Sequence, residues 1–219
     1  MMIKLPLFPL NTILFPGMPI YLHIFEPRYQ EMLRFCLDND LPFGVVLIRS
    51  GQEVLPGLVD PFRVGCTARI VHSEKLEDGH FNLTAVGEER FRILSLDTSE
   101  PYLQGMVETI IPSSPPLETL RRIRPLTGLV VNYLRLLNRI SDLHLNLDEL
   151  QMPDDPLLLI YMAASLLQLP PFEKQALLES NNPGDLMQMT ERLYKRETLV
   201  TAFMGKADAA SARRAAWLN

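Results

Sequence analysis

The hydrophobic periodicity of the chain changes at PSSPPLE, residues 112–118, and this change constrains the fold more than any single motif. Before it, short apolar runs are separated by Pro and Gly, as is typical of β-strands joined by turns. After it, Gly is scarce and apolar residues recur with the period of a helix. Three prolines and two serines in seven residues are typical of a domain edge. We therefore predict an α+β chain with a β-rich subdomain at 1–113 and an α-helical subdomain at 114–219.

The first subdomain contains seven short apolar runs with strand character. They are LPLFPL (5–10), TILFPG (12–17), FGVVLI (43–48), ARIVH (68–72), HFNLTAV (80–86), RFRILSL (90–96) and GMVETII (105–111). Short strands with frequent turn signals predict a barrel or a sandwich. One helix interrupts them, because Pro27 suits a first helical position and apolar residues follow at helical spacing up to Asp38.

Four helical segments are predicted in the second subdomain. The first is 117–140, in which Pro125 should kink or delay the helix. Asp155 and Pro156 form an N-cap and first-position pair for the next segment, PLLLIYMAASLLQL. The others cover 172–180 and about 185–204, and the Ala-rich tail KADAASARRAAWLN is read as a final helix or a loose end.

Composition and charge exclude several classes of protein. The net charge is −5, and all of it falls in residues 1–116, so a general nucleic-acid binder is not expected. Two cysteines, Cys36 and Cys66, do not form a disulfide framework and are expected to be buried thiols. The apolar N-terminus is broken by three prolines and has no cleavage site, and no apolar stretch reaches 18 residues. A cytoplasmic protein without a membrane segment is the simplest interpretation.

Rigidly spaced catalytic motifs are absent from the sequence. There is no G-x-x-x-x-G-K-[ST], no G-x-G-x-x-G and no G-x-S-x-G, so we expect no catalytic residue and no cofactor. One metal alternative stays open, in which a hairpin brings His72 and His80 together beside Glu74, Glu77 and Asp78. The simpler interpretation of these residues is a solvated hairpin tip. A reactive Cys66 is a further alternative.

Two other patterns have both a structural and a functional interpretation. Arg90-Phe91-Arg92 resembles a nucleic-acid-binding strand, but Glu88 and Glu89 precede it, so we predict a core-facing Phe between solvated arginines. Methionines also recur on the helical patterns. Core packing accounts for most of them, and an adaptable binding groove is the alternative. They are Met152, Met162, Met187, Met189 and Met204.

The stretch LHIFEPRY (22–29) concentrates the most unusual chemistry of the chain, and we interpret it as structural. Glu26 is suited to cover the first free amides of a helix that starts at Pro27. The planar guanidinium of Arg28 is suited to tie a carboxylate or loop carbonyls. Phe25 and Tyr29 are expected to anchor the corner in the core. Phe25, Glu26, Pro27, Arg28 and Tyr29 are therefore predicted to be a structural motif rather than a catalytic site.

Taken together, these segments resemble the N-terminal substrate-recognition domain of Lon proteases. The resemblance extends from about residue 5 to residue 200 and is looser in the helical half. LFPL, LFPG, IFEPRY, FGVV and G-x-x-RF in this order carry it. The matching segments are LPLFPLNTILFPGMPIYLHIFEPRY (5–29), PFGVVLIRSG (42–51), VGCTARI (64–70), DGHFNLTAVGEERFRI (78–93) and PYLQGMVE (101–108).

The resemblance implies a small β-barrel of the PUA-like type with one inserted helix, followed by a helical bundle. It also implies a substrate-engaging module, because the ATPase and the Ser-Lys peptidase of Lon belong to later domains. We therefore expect a non-catalytic, stand-alone protein that binds unfolded or partly folded proteins, or one dedicated protein partner. The alternative is an RNA- or small-ligand-binding PUA-like domain. Self-association through the tail ending in Trp217 and Leu218 stays open, and no residue is assigned to protein binding.

Overall fold

The computed structural model describes residues 2–50, 59–140 and 150–216, with side chains described as far as residue 203. Within these ranges the chain forms seven strands and six helices. In chain order they are β1 (Met2–Leu10), β2 (Pro19–Ile24), α1 (Pro27–Asp38), β3 (Phe43–Ser50), β4 (Asp60–Pro61), β5 (Val64–Lys75), β6 (Phe81–Asp97), β7 (Gln104–Thr109), α2 (Leu117–Arg121), α3 (Ile123–Ile140), α4 (Pro156–Leu166), α5 (Pro171–Glu179) and α6 (Pro183–Ala216).

The strands form a mixed sheet organised around β1 and the long strand β6. β1 pairs antiparallel with β7 and parallel with β3. β6 pairs antiparallel with β5, with β7 and, through its first residues, with β2. β5 pairs with β3, so the pairings β1–β7–β6–β5–β3 return to β1. The last strand, β7, ends at Thr109 and α2 begins at Leu117, so the change from strands to helices predicted at 112–118 is confirmed.

Two apolar clusters fill the sheet region. In the larger cluster, α1 contributes Tyr29, Met32 and Leu33, which pack with Phe8 and Phe43 of the sheet. The smaller cluster holds Leu5, Leu7, Val46, Phe91, Ile93 and Val107. Strand alternation explains this arrangement, because successive side chains of one strand point to opposite faces and so into different clusters.

One predicted strand is wrong. TILFPG (12–17) forms no strand, and the strand in this region is β2, at PIYLHI. Gly17 adopts the left-handed conformation at φ 77°, and its amide donates to the Gly87 carbonyl at 2.8 Å. Leu14 and Phe15 are buried, so the apolar character of this run reflects a loop packed into the core. Composition alone does not distinguish such a loop from a strand.

The chain divides into two compact units, and the division is discontinuous in sequence. Unit 1 is Met1–Ser113 together with Leu169–Asn181, and unit 2 is Ser114–Gln168 together with Asn182–Asn219. The subdomains predicted at 1–113 and 114–219 differ from these units in one segment, because α5 packs with the strands although it lies in the helical half of the sequence.

Buried polar side chains hold α5 to the sheet of unit 1. Arg90 is only 3% exposed, and its Nη1 donates to the carbonyls of Leu178, at 2.8 Å, and Ser180. Gln175 Nε2 donates to the Val64 carbonyl at 3.0 Å. The prediction that Arg90 is solvated is therefore wrong, because α5 covers that face of β6. Phe91 is buried and Arg92 is exposed, as the strand pattern predicts.

Unit 2 is built from α2, α3, α4 and α6 around two buried tyrosines. The rings of Tyr133 and Tyr194 meet edge to face at 5.4 Å, and the Tyr194 hydroxyl donates to the Ala163 carbonyl at 2.7 Å. The Asp155 carboxylate accepts from the Leu158 amide at 2.8 Å, which confirms the predicted N-cap. Pro125 lies in the first turn of α3, where a missing amide proton costs no helical bond.

Two of the helical methionines, Met162 and Met187, are buried, so core packing accounts for both. The α6 backbone is helical as far as Ala216, while Trp217 and Leu218 lie outside the described residues. No helix in the described part of the chain is both long enough and apolar enough to span a bilayer.

Candidate functional site

Residues 25–29, predicted to be a structural motif, form the corner between β2 and α1. Pro27 is the first residue of α1, and Glu26 occupies the N-cap position with extended dihedral angles. Its carboxylate makes no capping bond and accepts instead from Arg28, at 2.9 Å from Nε and 2.8 Å from Nη2. The expectation that Glu26 covers the helix amides is therefore wrong, because the guanidinium two residues later binds the carboxylate, with Nε and Nη2 both on Oε2.

The two aromatic residues of the corner have opposite environments. Tyr29 is buried, with its ring 4.1 Å from that of Phe8, and the Arg28 guanidinium lies 4.5 Å from the Tyr29 ring centroid. Phe25 is 57% exposed, so the expectation that it anchors the core is wrong. The physical reason is strand alternation: Ile24 points into the core, and Phe25 continues the exposed side of β2.

An open groove of about 380 Å³, here called the Arg28 groove, lies beside this corner. Its walls come from the end of β1, the start of α1 and the segment between β6 and β7. The lining residues are Pro9, Arg28, Tyr29, Val59, Leu96, Thr98, Glu100, Pro101, Tyr102 and Leu103. The volume falls in the range of ligand pockets, and seven of these ten residues are apolar, aromatic or proline.

The charged and titratable side chains among the described lining residues of the Arg28 groove are Arg28, Tyr29, Glu100 and Tyr102. The Glu26 pair and the Tyr29 ring hold Arg28. Burial and the nearby Glu100 carboxylate raise the pKa of the Tyr102 phenol, so this side chain stays protonated and able to donate at neutral pH. Among the lining residues that the structure describes there is no histidine and no cysteine. A groove of this composition offers apolar contact area together with the hydrogen-bond donors of Arg28 and Tyr102.

A second surface in unit 1 is aromatic and exposed. The His23 ring stacks on Phe25 at 6.2 Å and meets the edge of His80 at 5.3 Å. We call these three residues the aromatic cluster. His23 Nδ1 lies 3.0 Å from Asn82 Oδ1, and Tyr21, two residues earlier on the same side of β2, is 74% exposed. This surface was missed at the level of sequence, although the alternation of YLHIF over 21–25 was the signal that could have found it.

The alternative in which a hairpin brings His72 and His80 together is wrong. The β5–β6 register places His72 opposite Thr84, and the hairpin ends at Lys75 and Phe81. His80 Nδ1 instead lies 3.0 Å from Asp78 Oδ2, beside His23. Over the described ranges, no three side chains from His, Cys, Asp and Glu come together as a metal site.

Both thiols are buried, and neither is activated. Burial raises the pKa of Cys36 to about 12 and raises that of Cys66 well above its ordinary value. Since the thiolate is the reactive form, the alternative of a reactive Cys66 is wrong.

Solved structures place this fold in a known class. A Lon N-terminal domain protein from Xanthomonas campestris is 26% identical and superposes with a TM-score of 0.61, over 85% of this chain and 95% of that one. The N-terminal domain of a Mycobacterium avium complex Lon protease, 15% identical, gives a TM-score of 0.66 over 88% and 98%. The mixed sheet with its helices is therefore the Lon N-terminal domain fold.

The family follows from the sequence match. Residues 4–196 match the model of the ATP-dependent protease La (LON) substrate-binding domain, and the chain belongs to this family. It is 27% identical to Lon protease 2 of Myxococcus xanthus over 94% of its own length, and 25% identical to Lon protease of Escherichia coli K12 over 89%. The chain spans about a quarter of the length of these curated relatives. The resemblance noted from the sequence is confirmed, and the chain is a substrate-recognition module by family.

Proposed function

We propose that this chain is a non-catalytic module that engages unfolded proteins or exposed apolar segments, and that it acts as an adaptor or a holding factor. The match of residues 4–196 to a substrate-binding domain is the observation that carries the proposal. The proposed setting is the cytoplasm, because two free, buried thiols are typical of a reducing compartment. We extend the proposal to a PUA-like barrel in unit 1, supported by strand pairings that return to β1, and to a helical bundle in unit 2.

The Arg28 groove is the site that we propose for one apolar side chain of the bound segment. Pro9 and Pro101 contribute rigid walls, and Leu96, Tyr102 and Leu103 contribute apolar area. Rigid walls favour binding, because little conformational entropy is lost when the ligand arrives. The Glu26 carboxylate and the Tyr29 ring hold the Arg28 guanidinium at the groove.

A pair of tryptophan substitutions tests the groove. Thr98 is exposed and lines the groove, so Thr98→Trp should fill it, whereas Ser95→Trp adds the same side chain at an exposed position of β6 outside the lining. The probe is fluorescein-labelled, reduced and carboxymethylated α-lactalbumin, and the readout is fluorescence anisotropy. We expect Thr98→Trp to weaken binding by about tenfold, the effect of losing roughly one buried apolar side chain, and Ser95→Trp to leave it unchanged. Equal affinities of the two variants would rule out the groove as the site.

A further inference from the structure

We propose that the outer edge of β2 binds an extended client segment as an added strand, so that the module selects extended rather than helical polypeptide. This inference rests on the proposed function and deepens it, because it names the conformation of the substrate. The supporting observations are the pairing of β2, the direction of its backbone groups and the side chains that flank its edge.

β2 is an edge strand. Among the strands of the described ranges it pairs with β6 alone, with Ile20 opposite Ala85 and Leu22 opposite Leu83. The bonds at the start of the pair fix which backbone groups face β6: the Gly17 amide donates to the Gly87 carbonyl at 2.8 Å, and the Gly87 amide donates to the Met18 carbonyl at 2.9 Å.

Backbone direction alternates along an antiparallel pair, so the groups that face the outer edge follow from these bonds. The Met18 carbonyl faces β6, so every second residue after it also exchanges backbone hydrogen bonds with β6. These residues are Ile20, Leu22 and Ile24. The amides and carbonyls of Tyr21 and His23 therefore point to the outer edge. The backbone of Pro19 also points to the outer edge, so its missing amide proton removes no hydrogen bond to β6.

The side chains along this edge also suit an added strand. Ile20 and Leu22 pack on the larger apolar cluster but are only partly buried. On the opposite face, Tyr21 is exposed, and the aromatic cluster of His23, Phe25 and His80 lies at the end of the strand. An added strand would cover both sides with its alternating side chains.

The sequence of the edge carries little of the usual protection against such pairing. Exposed edges are commonly blocked by charged side chains or Pro, and PIYLHI contains no Lys, Arg, Asp or Glu and only Pro19, at its first position. Tyr21 and His23 offer two amides and two carbonyls. The amides and carbonyls of a helix are bonded to each other, so a helix cannot pair with these groups. The matching occupant is a short extended segment with alternating apolar residues.

Backbone-resolved hydrogen exchange tests the inference on the unmodified protein. The probe is a fluorescein-labelled dodecapeptide of alternating Val and Thr, and its control is the same peptide with an N-methyl group on every backbone amide, so that neither edge of the control can donate. At saturation we expect the Tyr21 and His23 amides to exchange at least about tenfold more slowly, while those of Ile20 and Leu22, already bonded to β6, change little. The N-methylated peptide should bind about tenfold more weakly, because it cannot donate.

A pair of substitutions at one position separates backbone from side chain. Tyr21→Pro removes the outward amide and the ring, and Tyr21→Ala removes the ring alone. We expect Tyr21→Pro to bind the dodecapeptide about tenfold more weakly than Tyr21→Ala, with thermal unfolding confirming that both variants are folded.

The outcomes distinguish the inference from the function on which it rests. If labelled, unfolded α-lactalbumin binds but the Tyr21 and His23 amides exchange unchanged, the inference fails and the proposed function stands. If neither the unfolded protein nor the peptide binds the unmodified protein, both fail. Equal binding by the peptide and its N-methylated control also overturns the inference.

Discussion

Replacing Arg90 with Met should release α5 from the sheet of unit 1. The substitution removes both bonds from Nη1 to the carbonyls of Leu178 and Ser180 but keeps an unbranched apolar side chain in the buried space. A hydrogen bond from a charged donor contributes about 1.5–3 kcal/mol. Removing a buried charge returns part of its desolvation cost. We therefore expect Arg90→Met to lower the free energy of unfolding by about 2–4 kcal/mol.

The measurement is urea unfolding followed by circular dichroism, together with hydrogen exchange of the amides in Leu169–Asn181. Arg92→Met is the matched control, because Arg92 lies two residues along β6 and is exposed, so its loss should change the free energy by less than about 0.5 kcal/mol. Exchange in the α5 segment should accelerate in Arg90→Met and not in the control. Equal unfolding free energies of the two variants would refute the conclusion that the Arg90 hydrogen bonds hold α5 to the sheet.

Packing, hydrogen bonding and ionisation lead to three further predictions. Gly65→Ala would place a Cβ 2.5 Å from the Val45 carbonyl oxygen and should lower the free energy of unfolding by about 1–3 kcal/mol. Gly128→Ala in α3 places its Cβ where no atom lies within 4 Å, and should raise the free energy of unfolding by about 0.5–1 kcal/mol. Thermal unfolding compares the two variants, and equal shifts in the unfolding temperature would contradict the packing argument. Tyr194→Phe leaves the Ala163 carbonyl without its donor and should cost about 1–2 kcal/mol in urea unfolding, so an unchanged midpoint would show that the bond contributes nothing. Burial raises the pKa of Cys36 from 9.0 to about 12, so the thiol ionises at a lower pH in the unfolded chain than in the folded one. The free energy of unfolding should therefore fall as the pH rises above 9. Cys36→Ala should flatten this fall, and the same pH dependence in the variant and the unmodified protein would contradict the reasoning.

Local signals predicted local structure well. Pro27 begins α1, and Asp155 caps α4, because each depends on a residue and its immediate neighbours. The exposed position of Phe25 could also have been predicted from the sequence. Continuing the alternation of β2 through Ile24 places Phe25 outside, but its apolar character favoured a core position when the sequence was considered alone.

Features that depend on distant segments were not predictable in the same way. Arg90 is buried because residues about ninety positions later cover it, and nothing in RFRILSL encodes that cover. Leu14 and Phe15 have the composition of a strand, but the turn at Gly17 and its bonds to Gly87 make them a loop in the core. The Arg28 groove likewise needs β1, α1 and the segment after β6 at one place. Tertiary contacts decide these features, and local pattern carries no information about them.

The most direct test of the central claim compares two states of one client. Fluorescein-labelled α-lactalbumin, native or reduced and carboxymethylated, is titrated with the purified protein at low and moderate salt, alongside a labelled single-stranded RNA. A substrate-recognition module that binds apolar segments should bind the unfolded form, keep that binding at the higher salt, and leave the native form free. Binding only to the RNA, and only at low salt, would contradict the account and favour a phosphate-binding surface instead.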